Sequence, residues 1–164
     1  MRCAKLSLFS YLQVNGLGIF ETTPPMDYNL KRFTDAQNEG NTYKNALKEI
    51  GAGLKEGHWM WFIFPQLRGL SRSDIGVYYG IIGKAEAKAY LADKTLGARL
   101  RECCNALSQV RGKSAEEIFG RTDAMKLRSS LTLFYLVSGK EECFRKPLAK
   151  YFDEKLDQKT VDML

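Results

Sequence analysis

The stretch LGARLRECCNALSQV, residues 96–110, indicates the fold class of this chain. Its apolar side chains recur at intervals of four, three, four and three residues, at Leu96, Leu100, Cys103, Leu107 and Val110. That spacing puts them on one face of an α-helix, so the stretch predicts an amphipathic helix that packs on a core. Gly112 follows the stripe and is typical of a helix end.

The same helical spacing recurs on both sides of this stretch. It is carried by Tyr43, Ala46, Leu47, Ile50 and Leu54 on one side and by Leu127, Leu131, Phe134 and Tyr135 on the other. We find neither hairpin signals nor a strand–helix alternation, so we predict an all-α fold. The prediction is a single multihelical globular domain of about seven helices over residues 26–164. The apolar run HWMWFIF, residues 58–64, fits either a buried helix or one short strand, because it has no apolar period.

Composition excludes several classes of protein. The chain has 164 residues, of which 45% are hydrophobic and 27% charged, as in an ordinary globular domain. A disordered, collagen-like, coiled-coil or membrane-spanning chain would have a different amino-acid composition. The formal net charge of +6 favours an anionic partner. Basic residues are interspersed with acids, as at Arg101 and Glu102, and this disfavours nucleic acid as that partner.

Residues 1–25, MRCAKLSLFSYLQVNGLGIFETTPP, differ in character from the rest. Their apolar stretch is too diluted for a signal peptide and too short for a membrane span. We interpret them as an N-terminal extension that is disordered or a start-site artefact, with Met26 as the natural start. A transit segment and a structured element are the alternatives. Pro24 and Pro25 mark the boundary with the folded part.

The cysteines and the one histidine limit the chemistry. The cysteines are Cys3, Cys103, Cys104 and Cys143, and the histidine is His58. They lack the spacing of a zinc site, so we predict no metal and no cofactor. Adjacent Cys103 and Cys104 lie in a helical pattern and are expected to pack as small hydrophobes. This cysteine usage fits a reducing, cytoplasmic location.

The first candidate site follows from the aromatic run. His58 precedes Trp59 and Trp61, and the loop behind them carries Gln66, Arg68 and Arg72. Aromatic faces beside amide and guanidinium donors are typical of a site for a base and a phosphate. We assign His58 to acid–base catalysis or phosphate contact, and Trp59 or Trp61 to stacking. The alternative is that both tryptophans are core and that His58 bonds to backbone.

The second candidate site is the segment DAMKLRSSLT, residues 123–132. Lys126, Ser129 and Ser130 share one helical face, because they stand at positions i, i+3 and i+4. Asp123 would orient a base or a water, and the two serines would donate hydrogen bonds. Lys126 would clamp an anion together with Arg68 and Arg72, while Gln37 and Gln66 would contact polar groups of the ligand. The alternative is that both serines bond to the preceding helical turn.

Three functions are compatible with these residues. The first is a site that binds, or hydrolyses, a nucleotide-like or other anionic small molecule; it requires His58, Gln37, Lys126 and Ser130 to converge on one cleft. The second is a non-catalytic protein-interaction or regulatory module, which requires an exposed apolar patch. The third is nucleic-acid binding, which requires a one-sided basic face.

Two of the quoted segments carry a resemblance to a known family. HWMWFIFPQLRGL (58–70) and IFGRTDAMKLRSSLTLF (118–134) look like the domain-of-unknown-function family 1810, and similarity extends over Tyr28 to Leu164. It includes Phe33-x-x-Ala36-Gln37 and Glu86-Ala-x-Ala-Tyr-Leu91. The resemblance implies a mainly α-helical single domain and no established activity.

The chain departs from the family pattern at one position. The family resemblance implies Gly-Leu-Gly after the FPQL motif, whereas this chain has Gly69-Leu70-Ser71. Bacterial members are often labelled "calpastatin", which implies a protease inhibitor. That inhibitor is a disordered polar chain, whereas this sequence has regular core stripes and 12% aromatic residues, so the label does not fit it.

Overall fold

Side-chain hydrogen bonds cap the N-termini of several helices. Ser73 and Asp157 each accept a hydrogen bond from the backbone N–H three residues ahead. Ser114 and Glu117 form a complete capping box, in which each side chain accepts from the other residue's backbone N–H. These bonds satisfy N–H groups that the first helical turn leaves unpaired. The local sequence therefore determines where these helices begin.

The structure is a computed structural model that describes residues 26–164. This range contains ten α-helices and one 3₁₀ turn, Glu39–Asn41. The helices are α1 (Lys31–Asn38), α2 (Thr42–Ala52), α3 (Met60–Ile63), α4 (Asp74–Tyr78), α5 (Lys84–Ala92), α6 (Leu96–Gln109), α7 (Ala115–Phe119), α8 (Arg121–Val137), α9 (Glu142–Phe152) and α10 (Gln158–Met163). The expected extension, residues 1–25, lies outside the described range.

The all-α prediction is confirmed, but the helix count is higher than the expected seven. Four of the ten helices, α3, α4, α7 and α10, have only four to six residues. The alternative of a short strand in the aromatic run is not realised. The backbone N–H of Phe64 bonds to the carbonyl of Met60, 3.1 Å away, so the run turns as a helix. The one β-bridge within residues 26–164 joins Leu67 and Ile81.

Helices α6 and α8 form the centre of the domain. Helix α6 packs against α2, α5 and α9, while α8 packs against α5, α7, α9 and α10. The stripe predicted from residues 96–110 faces the core, where Leu96, Cys103 and Leu107 are fully buried. Burial of each leucine contributes about 1.5–3 kcal/mol. Cys103 and Cys104 pack as small hydrophobes, as expected, and burial raises the pKa of the Cys103 thiol to about 12.

A row of aromatic rings connects four helices through the core. Phe33 of α1 contacts Tyr90 of α5 edge to face at 5.1 Å between ring centroids. Tyr90 contacts Phe134 of α8 at 5.3 Å, and Phe134 contacts Phe144 of α9 at 6.1 Å. Such contacts add to the free energy of burial and fix the relative positions of the helices.

Hydrogen bonds hold two segments of the chain in place, the loop after α3 and the segment before α10. The bridge between Leu67 and Ile81 holds the loop after α3, with the N–H of Ile81 donating to the carbonyl of Gln66 at 2.9 Å. The segment before α10 is tied to α8, because the N–H of Asp157 donates to Thr132 Oγ1 at 2.9 Å. Residues of both segments line one space together with residues 122–129 of α8.

Candidate functional site

A half-buried carboxylate, that of Glu49, holds the indole of Trp59 in the core. Glu49 Oε2 accepts hydrogen bonds from Trp59 Nε1 at 2.8 Å and from the N–H groups of Glu56 and Gly57 at 2.8 and 2.9 Å. Burial acts to raise the pKa of Glu49, but these three donors outweigh it and lower the pKa. The indole of Trp59 is 1% exposed and packs against Phe119. Trp59 is therefore a core residue, as in the alternative interpretation.

A second carboxylate, that of Asp123, forms ion pairs with Lys55 and Lys126. Asp123 lies in the first turn of α8, where its two oxygens are 2.8 Å from Lys55 Nζ and 2.9 Å from Lys126 Nζ. Burial acts to raise the pKa of Asp123, and the two ammonium groups outweigh it and lower the pKa. Asp123 is therefore ionised at neutral pH and positions Lys126. The ammonium of Lys126 also lies 4.8 Å from the centroid of the Trp61 ring.

A cleft of about 640 Å³ lies beside this turn of α8. Three segments line it: Gln66 and Leu70–Arg72 from the loop after α3, Thr122, Met125, Lys126, Arg128 and Ser129 from α8, and Leu156–Lys159 before and within α10. The volume lies in the range of small-molecule sites, about 300–1,000 Å³. Four of the lining residues are basic and one, Asp157, is acidic, so the cleft attracts anions.

Some charged side chains of the cleft are held by hydrogen bonds within the protein, and others are not. Arg128 donates to the carbonyls of Lys155 and Leu156 at 2.8 and 2.7 Å, and Asp157 caps α10. These two side chains form the wall of the cleft. Arg72 and Lys159 are exposed and have no side-chain partner among residues 26–164, so both can turn towards a ligand.

A much smaller cavity adjoins the cleft. It has a volume of about 10 Å³, and its lining includes Trp61, Gln66, Tyr79 and Lys126. That is room for one water molecule or one ligand oxygen. Gln66 and Lys126 line both spaces, so the cavity lies next to the cleft.

The structure brings together part of the predicted set. Gln66, Arg72, Lys126 and Ser129 line the cleft, although they come from two segments far apart in sequence. Trp61 borders the adjoining cavity, and Asp123 holds Lys126. Ser129 Oγ donates to the carbonyl of Met125 at 3.2 Å, which is the back-bond of the alternative interpretation.

Other predicted residues lie elsewhere. Gln37 is 2% exposed, and its side chain donates to the carbonyl of Phe62 at 2.8 Å and accepts from Arg99 at 3.1 Å. Exposed His58 and Arg68 do not line the cleft, and Ser130 is fully buried and does not line it. The expected convergence of His58, Gln37, Lys126 and Ser130 is therefore not formed, and the acid–base role proposed for His58 has no geometric support.

Arg128, Asp157 and Lys159 also line the cleft, and none of them has a role in the site predicted from sequence. Arg128 lies within the DAMKLRSSLT segment, and its basic side chain was a signal that received no role. No local signal marks Asp157 and Lys159 as site residues, because only tertiary packing brings the C-terminal segment beside α8.

Metal-ligand clusters and membrane-spanning helices are both absent from residues 26–164. No group of three or more His, Cys, Asp and Glu residues in this range is placed to hold a metal ion. None of the helices found there has the length and apolarity needed to cross a membrane.

Comparisons with known proteins identify the family. The crystal structure of the conserved hypothetical protein Rv1873 from Mycobacterium tuberculosis, at 1.38 Å, has 47% sequence identity to this chain and a TM-score of 0.81. The match covers 85% of this chain and 98% of that one. A comparison with curated proteins found no match. The model of the family described as "Protein of unknown function (DUF1810)" matches residues 27–164, which confirms the resemblance drawn from the two quoted segments, and the chain belongs to this family.

Proposed function

We propose that this protein binds an anionic small molecule, of the phosphorylated or nucleotide-like class, in the cleft beside the start of α8. The observation that carries the proposal is the meeting of Gln66, Arg72, Lys126 and Lys159 around one space of about 640 Å³. The four basic lining residues against one acid supply the electrostatic attraction. Amide and hydroxyl groups supply hydrogen bonds that orient a ligand.

The start of α8 adds to this attraction. The first intrahelical bond runs from the N–H of Ala124 to the carbonyl of Gly120, so the N–H groups of the three preceding residues lack intrahelical partners. Thr122, one of these residues, lines the cleft. The positive end of the helix dipole therefore favours an anion in the same place as the basic side chains.

The proposal is for binding rather than hydrolysis. The two carboxylates nearest the cleft are committed to structural partners, Asp123 to two lysines and Asp157 to the cap of α10. The lowered pKa of Asp123 makes it a poor proton donor at neutral pH. His58, the one histidine of the chain, lies off the cleft.

Isothermal titration calorimetry and thermal shift with the full chain test this proposal. The probes are inorganic phosphate, pyrophosphate and AMP. A probe at about 100 times its Kd stabilises the protein by about 2.7 kcal/mol, which raises Tm by several degrees. Arg72→Ala and Lys126→Met should each reduce the shift. Lys126→Met keeps the apolar stem over Trp61, and Asp123 keeps Lys55 as its partner.

Arg68→Ala is the matched control for Arg72→Ala. Both arginines are exposed in the same loop, but Arg68 does not line the cleft. Each substitution lowers the net charge equally, so a loss confined to Arg72→Ala reports local binding. An equal loss in both variants, or no shift with any probe, would contradict the proposal.

A second candidate function, a protein-interaction surface, has one observation in its favour. Ile75, Val77, Tyr78 and Ile82 are 39%, 41%, 54% and 64% exposed and lie within one short segment around α4. Clusters of exposed large apolar side chains are typical of binding surfaces. Tyr78→Ser with Ile82→Ser should leave phosphate binding intact and abolish any self-association measured by analytical ultracentrifugation. A protein that is monomeric at all concentrations would remove this support.

A further inference from the structure

Two buried side-chain donors within residues 26–164 have no hydrogen-bond partner. They are Trp61 Nε1 and Ser130 Oγ. Native proteins pair the large majority of such groups, since an unpaired buried donor has lost its water without a replacement. Trp61 is the more informative of the two, because it borders a cavity.

The cavity at Trp61 has the size and the surroundings of an oxygen site. Its volume of about 10 Å³ admits one oxygen atom. Lys126 lines the same cavity, and its ammonium lies 4.8 Å from the Trp61 ring centroid. An oxygen placed there would be near an indole N–H and a positive charge, so an anionic oxygen is favoured over a neutral one.

The cavity also adjoins the larger cleft. Gln66 and Lys126 border both spaces. A phosphoryl group has three terminal oxygens, so one oxygen can enter the cavity while the others remain in the cleft with Arg72. A carboxylate, with two oxygens and one charge, would use fewer of the basic side chains.

We propose that the ligand of the cleft is anchored by a phosphoryl group, one oxygen of which enters the cavity and accepts hydrogen bonds from Trp61 Nε1 and Lys126 Nζ. This inference rests on the proposed function and specifies the chemical group that the site recognises. Trp61 acts through its N–H. Its ring is partly occupied by the ammonium of Lys126, so a stacking role is disfavoured.

The indole N–H signals of the protein test this directly. The chain has two tryptophans and therefore gives two indole signals in a ¹⁵N–¹H correlation spectrum. Trp61→Phe assigns them. Titration with pyrophosphate should move the Trp61 signal downfield, as its N–H gains an acceptor. The Trp59 signal is the internal control, since its N–H is already bonded to Glu49 and should stay in place.

The affinity of Trp61→Phe for pyrophosphate is the second measurement. This variant keeps an aromatic ring beneath Lys126 and removes the N–H. We expect about tenfold weaker binding by calorimetry, the effect of one hydrogen bond to a charged group. The Tm of the ligand-free variant should equal or exceed that of the wild type, because the substitution removes an unpaired donor.

The outcomes separate the two proposals. If the wild type binds pyrophosphate but the Trp61 signal and the affinity of Trp61→Phe are unchanged, the cavity holds only a water and this inference is wrong, while the proposed function stands. If the wild type binds neither phosphate, pyrophosphate nor AMP, the proposed function fails and this inference fails with it.

Discussion

The substitution Glu86→Gln should destabilise the protein strongly, because Glu86 belongs to a buried ion pair. Its side chain is 0% exposed, and Oε1 lies 2.6 Å from Arg32 Nη2, whose side chain is 5% exposed. Glu86 Oε2 accepts a hydrogen bond from the N–H of Ile82 at 2.7 Å. Glutamine has nearly the same volume, so the change removes the negative charge and leaves the packing unchanged.

The remaining contacts of Arg32 set the size of the effect. Its guanidinium also donates to the carbonyls of Tyr28 at 2.6 Å and Tyr78 at 3.0 Å, so the positive charge stays in place when Glu86 is neutral. Removal of one partner from a buried ion pair costs about 3–5 kcal/mol. Since the glutamine carbonyl still accepts one bond, we expect the lower value, about 3 kcal/mol. For a domain of this size that lowers Tm by about 9 °C.

Urea unfolding and calorimetry of the full chain measure this loss. Asp35→Asn, on the helix that carries Arg32, is the control, because Lys31 and Asp35 form an exposed pair whose side chains are 77% and 59% accessible. That pair should contribute at most about 0.5 kcal/mol. A loss below about 1 kcal/mol in Glu86→Gln, or an equal loss in both variants, would refute the reasoning from burial.

Four further predictions concern stability. Ser114→Ala removes the capping box of α7 and should cost about 1 kcal/mol in urea unfolding; an unchanged midpoint would mean that α7 is held by packing alone. The lowered pKa of Glu49 makes its contribution to stability present above the ordinary carboxyl pKa and lost as pH falls through the folded value. The urea midpoint of the wild type should therefore fall more steeply below about pH 4.5 than that of Glu49→Gln, and parallel curves would contradict the assignment. Ser130→Ala should leave stability unchanged or raise it, because Oγ has no partner. By contrast, Thr132→Val should cost about 1–3 kcal/mol, because the N–H of Asp157 loses its acceptor; equal thermal midpoints in these two variants would contradict the hydrogen-bond assignment.

Part of the candidate site could be predicted from the sequence, because the spacing of residues along one helix places them on the same face. Lys126 and Ser129 stand one helical turn apart, and both line the cleft. The burial of Gln37 also had a local signal, since it lies four residues after Phe33, the core residue of α1. An amide side chain serves both in cores and in ligand sites, so the residue type of Gln37 does not distinguish the two roles.

Local sequence determined the longer helices of this protein, since caps and apolar spacing act within a few residues. The capping box at Ser114 and the stripe of residues 96–110 needed no tertiary information. Tertiary structure alone decided which side chains of the aromatic run, residues 58–64, face the core, because a run without an apolar period has no preferred face. It also decided which charges meet: Lys55 joins Asp123, and Lys159 joins Lys126 around the cleft. These pairs are brought together by helix packing, and helix packing depends on the whole core and not on the residues of the site.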